Sequence, residues 1–140
     1  MPKEIILKKI EQLRMLLREL EQLLARPLLE FRGDMVVIRA AERDFQLMVE
    51  LASDINTTVL IAKTGKTPDT YRQSFNDIEK LGIITSNIAA ALVKSAKLRN
   101  ILVHEYDFEE DYERFYSSAK ALSPIYQEYL QAMVRYIEKW

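Results

Sequence analysis

The chain has 140 residues, of which 49% are hydrophobic, so it can bury the core of one domain. It contains no cysteine, which excludes disulfides and thiolate metal sites, and only three glycines and four prolines, which favours an all-helical fold. Its net charge of −1 gives no general attraction to nucleic acid, so binding of RNA or DNA would require a local basic patch.

No apolar run approaches the roughly 18 residues that a membrane-spanning helix requires. The first four residues show no signal-peptide pattern. The sequence therefore predicts a soluble, cytoplasmic protein with a single domain over residues 1–140.

The first predicted helix, over 1–26, carries apolar residues at alternating steps of four and three. These residues are Ile6, Ile10, Leu13, Leu17, Leu20 and Leu24. A stripe of this length indicates a core helix of a bundle; a helix that forms a dimer or binds a partner is the alternative.

A longer helix is predicted over 35–62, with Asp34 as its N-cap. Its apolar stripe consists of Val37, Ala41, Phe45, Met48, Ala52, Ile55, Val59 and Ala62. A short helix over 69–81, capped by Asp69 or Thr67, follows a loop that contains glycine and proline.

Two further helices complete the predicted domain, one over 85–104 and one over 109–139, with a turn at 105–108. Pro124 lies inside the last helix, and a proline removes one backbone hydrogen bond and clashes one turn back. We therefore expect a kink or a break there.

The candidate chemistry centres on His104, the only histidine of the chain. One histidine without cysteine cannot form a histidine or thiolate metal cluster, and the sequence has no glycine-rich phosphate loop. A metal-free pair of arginine and histidine remains, which suits a phosphodiester, because arginine stabilises phosphate charge and histidine moves protons near neutral pH. Taken alone, a single histidine near a helix end is usually structural.

Helical geometry restricts how these residues combine. Asn100 and His104 share a helix face, so the amide can hydrogen-bond the imidazole. Arg99 and His104 are about 140° apart around an ideal helix. They cannot face one phosphate unless the helix ends or distorts near Val103, or unless two subunits share the site.

The segment from Arg99 to Tyr106 resembles the Arg-x4-His-x-Tyr signature of HepT toxins, a branch of the HEPN superfamily. The segments 39–46, with a Glu-Arg pair, and 68–75, with Pro-x-x-Tyr-x-x-x-Phe, resemble the family in the same order, and Asp54 lies where the family tends to carry an acid. The resemblance covers roughly residues 35–137, whereas the first 34 residues match poorly.

The resemblance implies an antiparallel helical bundle of the HEPN type, with five or so helices, that forms a homodimer. It also implies a metal-independent, cofactor-free endoribonuclease in which Arg99 binds the scissile phosphate and His104 acts as acid or base, aided by Asn100. A 2′,3′-cyclic phosphate is then the expected product. Lys94 and Lys97, on a helix without acidic residues, indicate where RNA could lie.

The implied partner is an MntA-like nucleotidyltransferase antitoxin that transfers AMP to Tyr106. Added negative charge and bulk two residues from His104 would oppose binding of an RNA phosphate. An ordinary residue at a helix end is the alternative for this tyrosine. A second function stays open, namely a non-catalytic HEPN module that binds and regulates the nucleotidyltransferase.

Overall fold

The computed structural model describes residues 2–104 and 111–140. Their regular elements are six helices, α1 (Pro2–Leu24), α2 (Leu28–Arg32), α3 (Met35–Thr64), α4 (Tyr71–Lys80), α5 (Ser86–His104) and α6 (Tyr112–Glu138). The predicted all-α class is confirmed. The turn predicted at 105–108 and the start predicted for the last helix at 109 lie outside the described residues.

The bundle is centred on α3, which packs along α1 and also contacts α4 and α5, while α6 packs against α1 and α5. All six residues of the α1 stripe are buried, so this stripe forms part of the core of the chain itself. The α3 stripe is buried from Val37 to Val59, whereas Ala62 is exposed. None of the described helices is long and apolar enough to cross a bilayer.

Side-chain caps and a left-handed glycine set the ends of α3 and the start of α4. The Asp34 carboxylate accepts a hydrogen bond at 3.2 Å from a backbone N–H of the first turn of α3, as expected for an N-cap. At the other end, Gly65 adopts a φ of +72°, which glycine reaches without strain. Thr70, rather than Asp69 or Thr67, caps α4.

The chain path differs from the sequence prediction at α2, and of the kink or break expected at Pro124 it excludes the break. The short helix α2, which follows Pro27, was not predicted. Helix α6 continues without a break through Pro124, and the preceding Ser123 donates its hydroxyl hydrogen bond to the carbonyl of Ala119 at 2.9 Å. Buried side chains lie on both sides of the proline, so packing of the helix offsets the missing backbone bond.

A buried polar network connects α3, α4 and α6. Tyr129 donates to the amide oxygen of Asn56 at 2.6 Å, and the amide nitrogen of Asn56 donates to Ser74 at 3.1 Å. Ser53 also donates to Ser74 at 3.2 Å, and Ser74 donates to the carbonyl of Tyr71 at 2.7 Å. The network therefore fixes the first turn of α4, and with it the backbone of Tyr71.

A second buried polar group lies between α1 and α3. Burial and, to a smaller extent, the negative charge of Glu19 together raise the pKa of Asp44 to about 6. One carboxylate oxygen of Asp44 is buried without a hydrogen-bond partner. Because the pKa is higher in the folded state, ionisation of Asp44 destabilises the fold, and this penalty grows as pH rises from about 4 to 6.

We therefore expect Asp44→Asn to raise the free energy of unfolding at pH 8 by about 1–3 kcal/mol and to change it little at pH 4. Urea denaturation at the two pH values measures the difference, with Asp69→Asn as the control at an exposed position. Equal stabilisation at both pH values would contradict the electrostatic explanation.

Candidate active site

The last two turns of α5 carry Arg99, Asn100 and His104. The helix includes both Arg99 and His104, so within the described residues no distortion brings the arginine and the histidine together. On a regular helix their side chains leave the axis about 140° apart. Within one chain, Arg99 and His104 therefore lie on different sides of α5.

Arg99 points toward α3 and α4, and its side chain is only 14% exposed. One terminal nitrogen lies 3.4 Å from the carboxylate of Glu50, and the other donates to the amide oxygen of Asn100 at 3.2 Å. The guanidinium stacks over the ring of Tyr71 at 4.7 Å, a distance typical of a cation–π contact. The buried Nε–H has no hydrogen-bond partner.

Two of these contacts, those of Glu50 and Tyr71 with Arg99, were not predicted from the sequence. Glu50 is 49 residues away in the chain, and only the packing of α3 against α5 brings it near the arginine. Tyr71 was noted as part of a family segment, but its stack on Arg99 was not predicted. The amide oxygen of Asn100, expected to support His104, accepts from Arg99.

A polar cavity of about 450 Å³ opens on this side of α5. Its lining residues are Ser53, Asp54, Thr57, Pro68, Asp69, Thr70, Tyr71 and Asn100. Both charged lining residues are acids, and Glu50 is a third acid beside Arg99. The side of α5 that carries Arg99 is therefore rich in negative charge.

His104 is exposed and lies about 140° around α5 from Arg99, beyond Asn100. It is seven residues from Lys97, so the two side chains lie almost in line along α5. Lys94 and Lys97 are both exposed, and together with Arg114 of α6 they line a groove between α5 and α6. On a regular helix His104 is therefore nearly in line with Lys97 and well separated from Arg99, with Asn100 between the two.

Tyr106, the predicted site of AMP transfer, lies outside the described residues.

A family model described as Ribonuclease HepT-like matches residues 6–133. The chain belongs to the HepT-like ribonuclease family. The match includes most of α1, a region that resembled the family poorly in the sequence analysis. It also includes the whole Arg-x4-His-x-Tyr segment.

Individual relatives agree with this assignment. A tRNA nuclease HepT from Aphanizomenon flos-aquae is 36% identical over 88 residues, which cover 61% of this chain and 59% of that protein. The chain thus spans less than two thirds of that relative.

Two solved structures share the fold. A tri-AMPylated HEPN toxin of Shewanella oneidensis in complex with MNT antitoxin is 21% identical, with a TM-score of 0.84 over 94% of this chain and 97% of that chain. YutE of Bacillus subtilis, a cytosolic protein of unknown function, is 19% identical, with a TM-score of 0.76 over 94% of this chain and 90% of that chain. The predicted HEPN bundle is therefore confirmed.

Proposed function

We propose that this chain is a metal-independent endoribonuclease toxin that acts in the cytoplasm and cuts RNA with Arg99 and His104, contributed across the two-fold axis of a homodimer. The observation that carries the proposal is the position of both side chains near the end of α5, on opposite sides of one regular helix, in a member of a ribonuclease family. A two-fold axis brings the arginine side of one subunit to the histidine side of the other.

The proposed reaction is transesterification within the RNA. His104 accepts the proton of a 2′-hydroxyl, whose oxygen attacks the adjacent phosphorus. The bond from phosphorus to the 5′-oxygen breaks, this oxygen takes up a proton, and a 2′,3′-cyclic phosphate remains. Arg99 stabilises the negative charge that develops on the phosphoryl oxygens. Asn100 aids Arg99 and His104 through hydrogen bonds made by its side-chain amide.

RNA binding is assigned to the basic side of α5. Lys97 lies almost in line with His104 along α5, Lys94 lies one turn before Lys97, and both lysines are exposed, so both can contact phosphates of the substrate. The purified, unmodified protein should cleave RNA in the presence of EDTA and leave cyclic phosphate ends. Absence of cleavage under these conditions would overturn the proposed activity.

Glu50 has a predicted role as a positioning residue for Arg99. Glu50→Gln removes the negative charge but keeps the shape, so the guanidinium loses its ionic partner, and we expect cleavage to fall on the order of tenfold. Melting should change only modestly, by no more than about 1–2 kcal/mol in stability, because Glu50 is 33% exposed and the glutamine amide oxygen can still accept a hydrogen bond from the largely buried Arg99.

The matched control is Glu128→Gln, at an exposed position of α6. Cleavage rates and melting temperatures of the two variants separate a role at Arg99 from a general effect of charge. If Glu50→Gln cleaves RNA at the wild-type rate, Glu50 is only a surface ion-pair partner.

Neutralisation is proposed to occur by AMP transfer from an MntA-like nucleotidyltransferase partner to Tyr106. The tyrosyl oxygen attacks the α-phosphorus of ATP, pyrophosphate leaves and the phenolic proton is released. We expect the intact mass after co-expression with the partner to increase by one or more AMP units, and Tyr106→Phe to abolish the increase.

Tyr112→Phe is the control for this modification, because Tyr112 is the next tyrosine along the chain and lies at the start of α6. An unchanged mass in wild-type protein that the partner has inactivated would contradict the modification and favour masking by binding.

A non-catalytic HEPN module that regulates the nucleotidyltransferase is the second candidate. The observation that favours it is the engagement of Arg99 by Glu50 and Tyr71, which leaves the guanidinium largely buried. A protein of this kind would bind the nucleotidyltransferase but leave RNA intact in every assay.

A further inference from the structure

A further cavity lies in the groove between α5 and α6. It has a volume of about 480 Å³. Its lining residues are Ala91, Lys94, Lys97, Leu98, Ile101, Arg114, Ser118, Ala121, Leu122 and Ile125. The floor is aliphatic, and the charged residues that line it in the described part of the chain are cations. The combination suits a ligand that has both an apolar part and several negative charges.

The charge of this groove contrasts with that of the opposite side of α5. Lys94, Lys97 and Arg114 contribute three positive charges, and no carboxylate is found among the lining residues within the described ranges 2–104 and 111–140. The cavity beside Arg99, in contrast, is lined by Asp54 and Asp69. A polyanion is therefore attracted to one side of α5 and repelled from the other.

The groove also leads toward His104. Lys97 and Ile101 line it, and His104 continues the same line along α5 beyond them. The distance along the axis from Lys97 to His104 is about 10 Å at the helical rise of 1.5 Å per residue. A strand bound at the lysines therefore needs only a short span to reach the histidine.

We infer that the α5/α6 groove binds a single-stranded segment of the RNA substrate, with a nucleobase on the aliphatic floor and phosphates on Lys94, Lys97 and Arg114. The inference rests on the proposed ribonuclease function and extends it, because it adds Arg114 and a base subsite. A single strand is required, since paired bases in a duplex are stacked inside and cannot enter a groove.

Charge reversal tests the phosphate contacts. The variant Lys94→Glu/Lys97→Glu/Arg114→Glu is compared with Lys8→Glu/Arg18→Glu/Lys139→Glu, which changes the same number of lysines and arginines at exposed positions outside the groove. Both triples are made in the His104→Ala background, so that a fluorescent single-stranded RNA is not cut during titration.

We expect the groove triple to weaken RNA binding at least tenfold more than the control triple. The slope of log affinity against log salt should fall by about two, because each phosphate contact on single-stranded RNA contributes about 0.7. Equal loss of affinity in the two triples would overturn the assignment, since it would reflect net charge alone.

A cysteine pair tests the base subsite, because the chain contains no cysteine of its own. Ser118 lines the groove, whereas its neighbour Ser117 is exposed and does not. Attachment of a bulky maleimide to Ser118→Cys should block RNA binding, and attachment to Ser117→Cys should leave it within about twofold. Equal binding by both labelled proteins would overturn the base subsite.

A second copy of the chain is the competing occupant of the groove. If the groove triple converts a dimer to a monomer in sedimentation experiments, the groove is a protein interface and the inference is wrong. Failure of the inference is distinct from failure of the proposed function. If only the inference fails, wild-type protein cleaves RNA, and the groove triple with His104 intact cleaves it equally well. If the proposed function fails, wild-type protein does not cleave RNA at all.

Discussion

His104→Ala is expected to lower the rate of RNA cleavage by roughly a hundredfold to ten-thousandfold, the contribution of a positioned general acid or base. His104 is the only histidine of the chain, so no second imidazole can replace it. Its side chain is exposed at the end of α5, so the substitution leaves no cavity in the core and should not alter folding.

The measurement is the single-turnover cleavage of a labelled RNA at saturating protein, with Asn87→Ala as the control, since Asn87 is an exposed polar residue at the other end of α5. Addition of imidazole to His104→Ala should restore part of the rate if the residue transfers protons. Wild-type activity in His104→Ala would contradict the proposed chemistry, and a loss shared with Asn87→Ala would point to a structural effect.

Much of the fold could be predicted from periodicity. The six apolar residues of α1 and most of the α3 stripe were identified because a buried helix face repeats every three or four residues. Helix α2 could not be identified this way, since the five residues 28–32 are too few to show a period. The start of α4 was misplaced because Thr67, Asp69 and Thr70 are all suitable caps, and only the observed backbone selects Thr70.

Pro124 shows how tertiary packing overrides a local rule. A proline inside a helix costs about 3 kcal/mol or more. Tyr126 and Tyr129, which follow it, and Ala119 and Leu122, which precede it, are all buried on one side of α6. Burial of a side chain as large as Leu122 contributes roughly 1.5–3 kcal/mol, so an unbroken helix is favoured.

The residues of the candidate site were identified from a local motif, whereas their surroundings were not. Arg99 and His104 lie five positions apart in a recognisable segment. Glu50 and Tyr71 reach Arg99 from two other helices, and Arg114 reaches the groove from α6. Contacts between distant segments leave no spacing in the sequence, so the division of α5 into an acidic and a basic side became visible only in the fold.

The central claim of a shared site predicts that two inactive variants restore each other. In a heterodimer of Arg99→Ala and His104→Ala subunits, one site combines the intact arginine of one subunit with the intact histidine of the other. The second site has neither. If each site is built across the two-fold axis, the heterodimer should have about half the activity of the wild-type dimer.

Co-expression of the two variants with different affinity tags, followed by tandem purification, gives the heterodimer, and its RNA cleavage is compared with that of each variant homodimer. The account predicts about half of wild-type cleavage for the heterodimer and almost none for either homodimer. The account would be contradicted if the heterodimer is as inactive as the two variant homodimers. It would also be contradicted if the two differently tagged variants do not co-purify, since no dimer then forms.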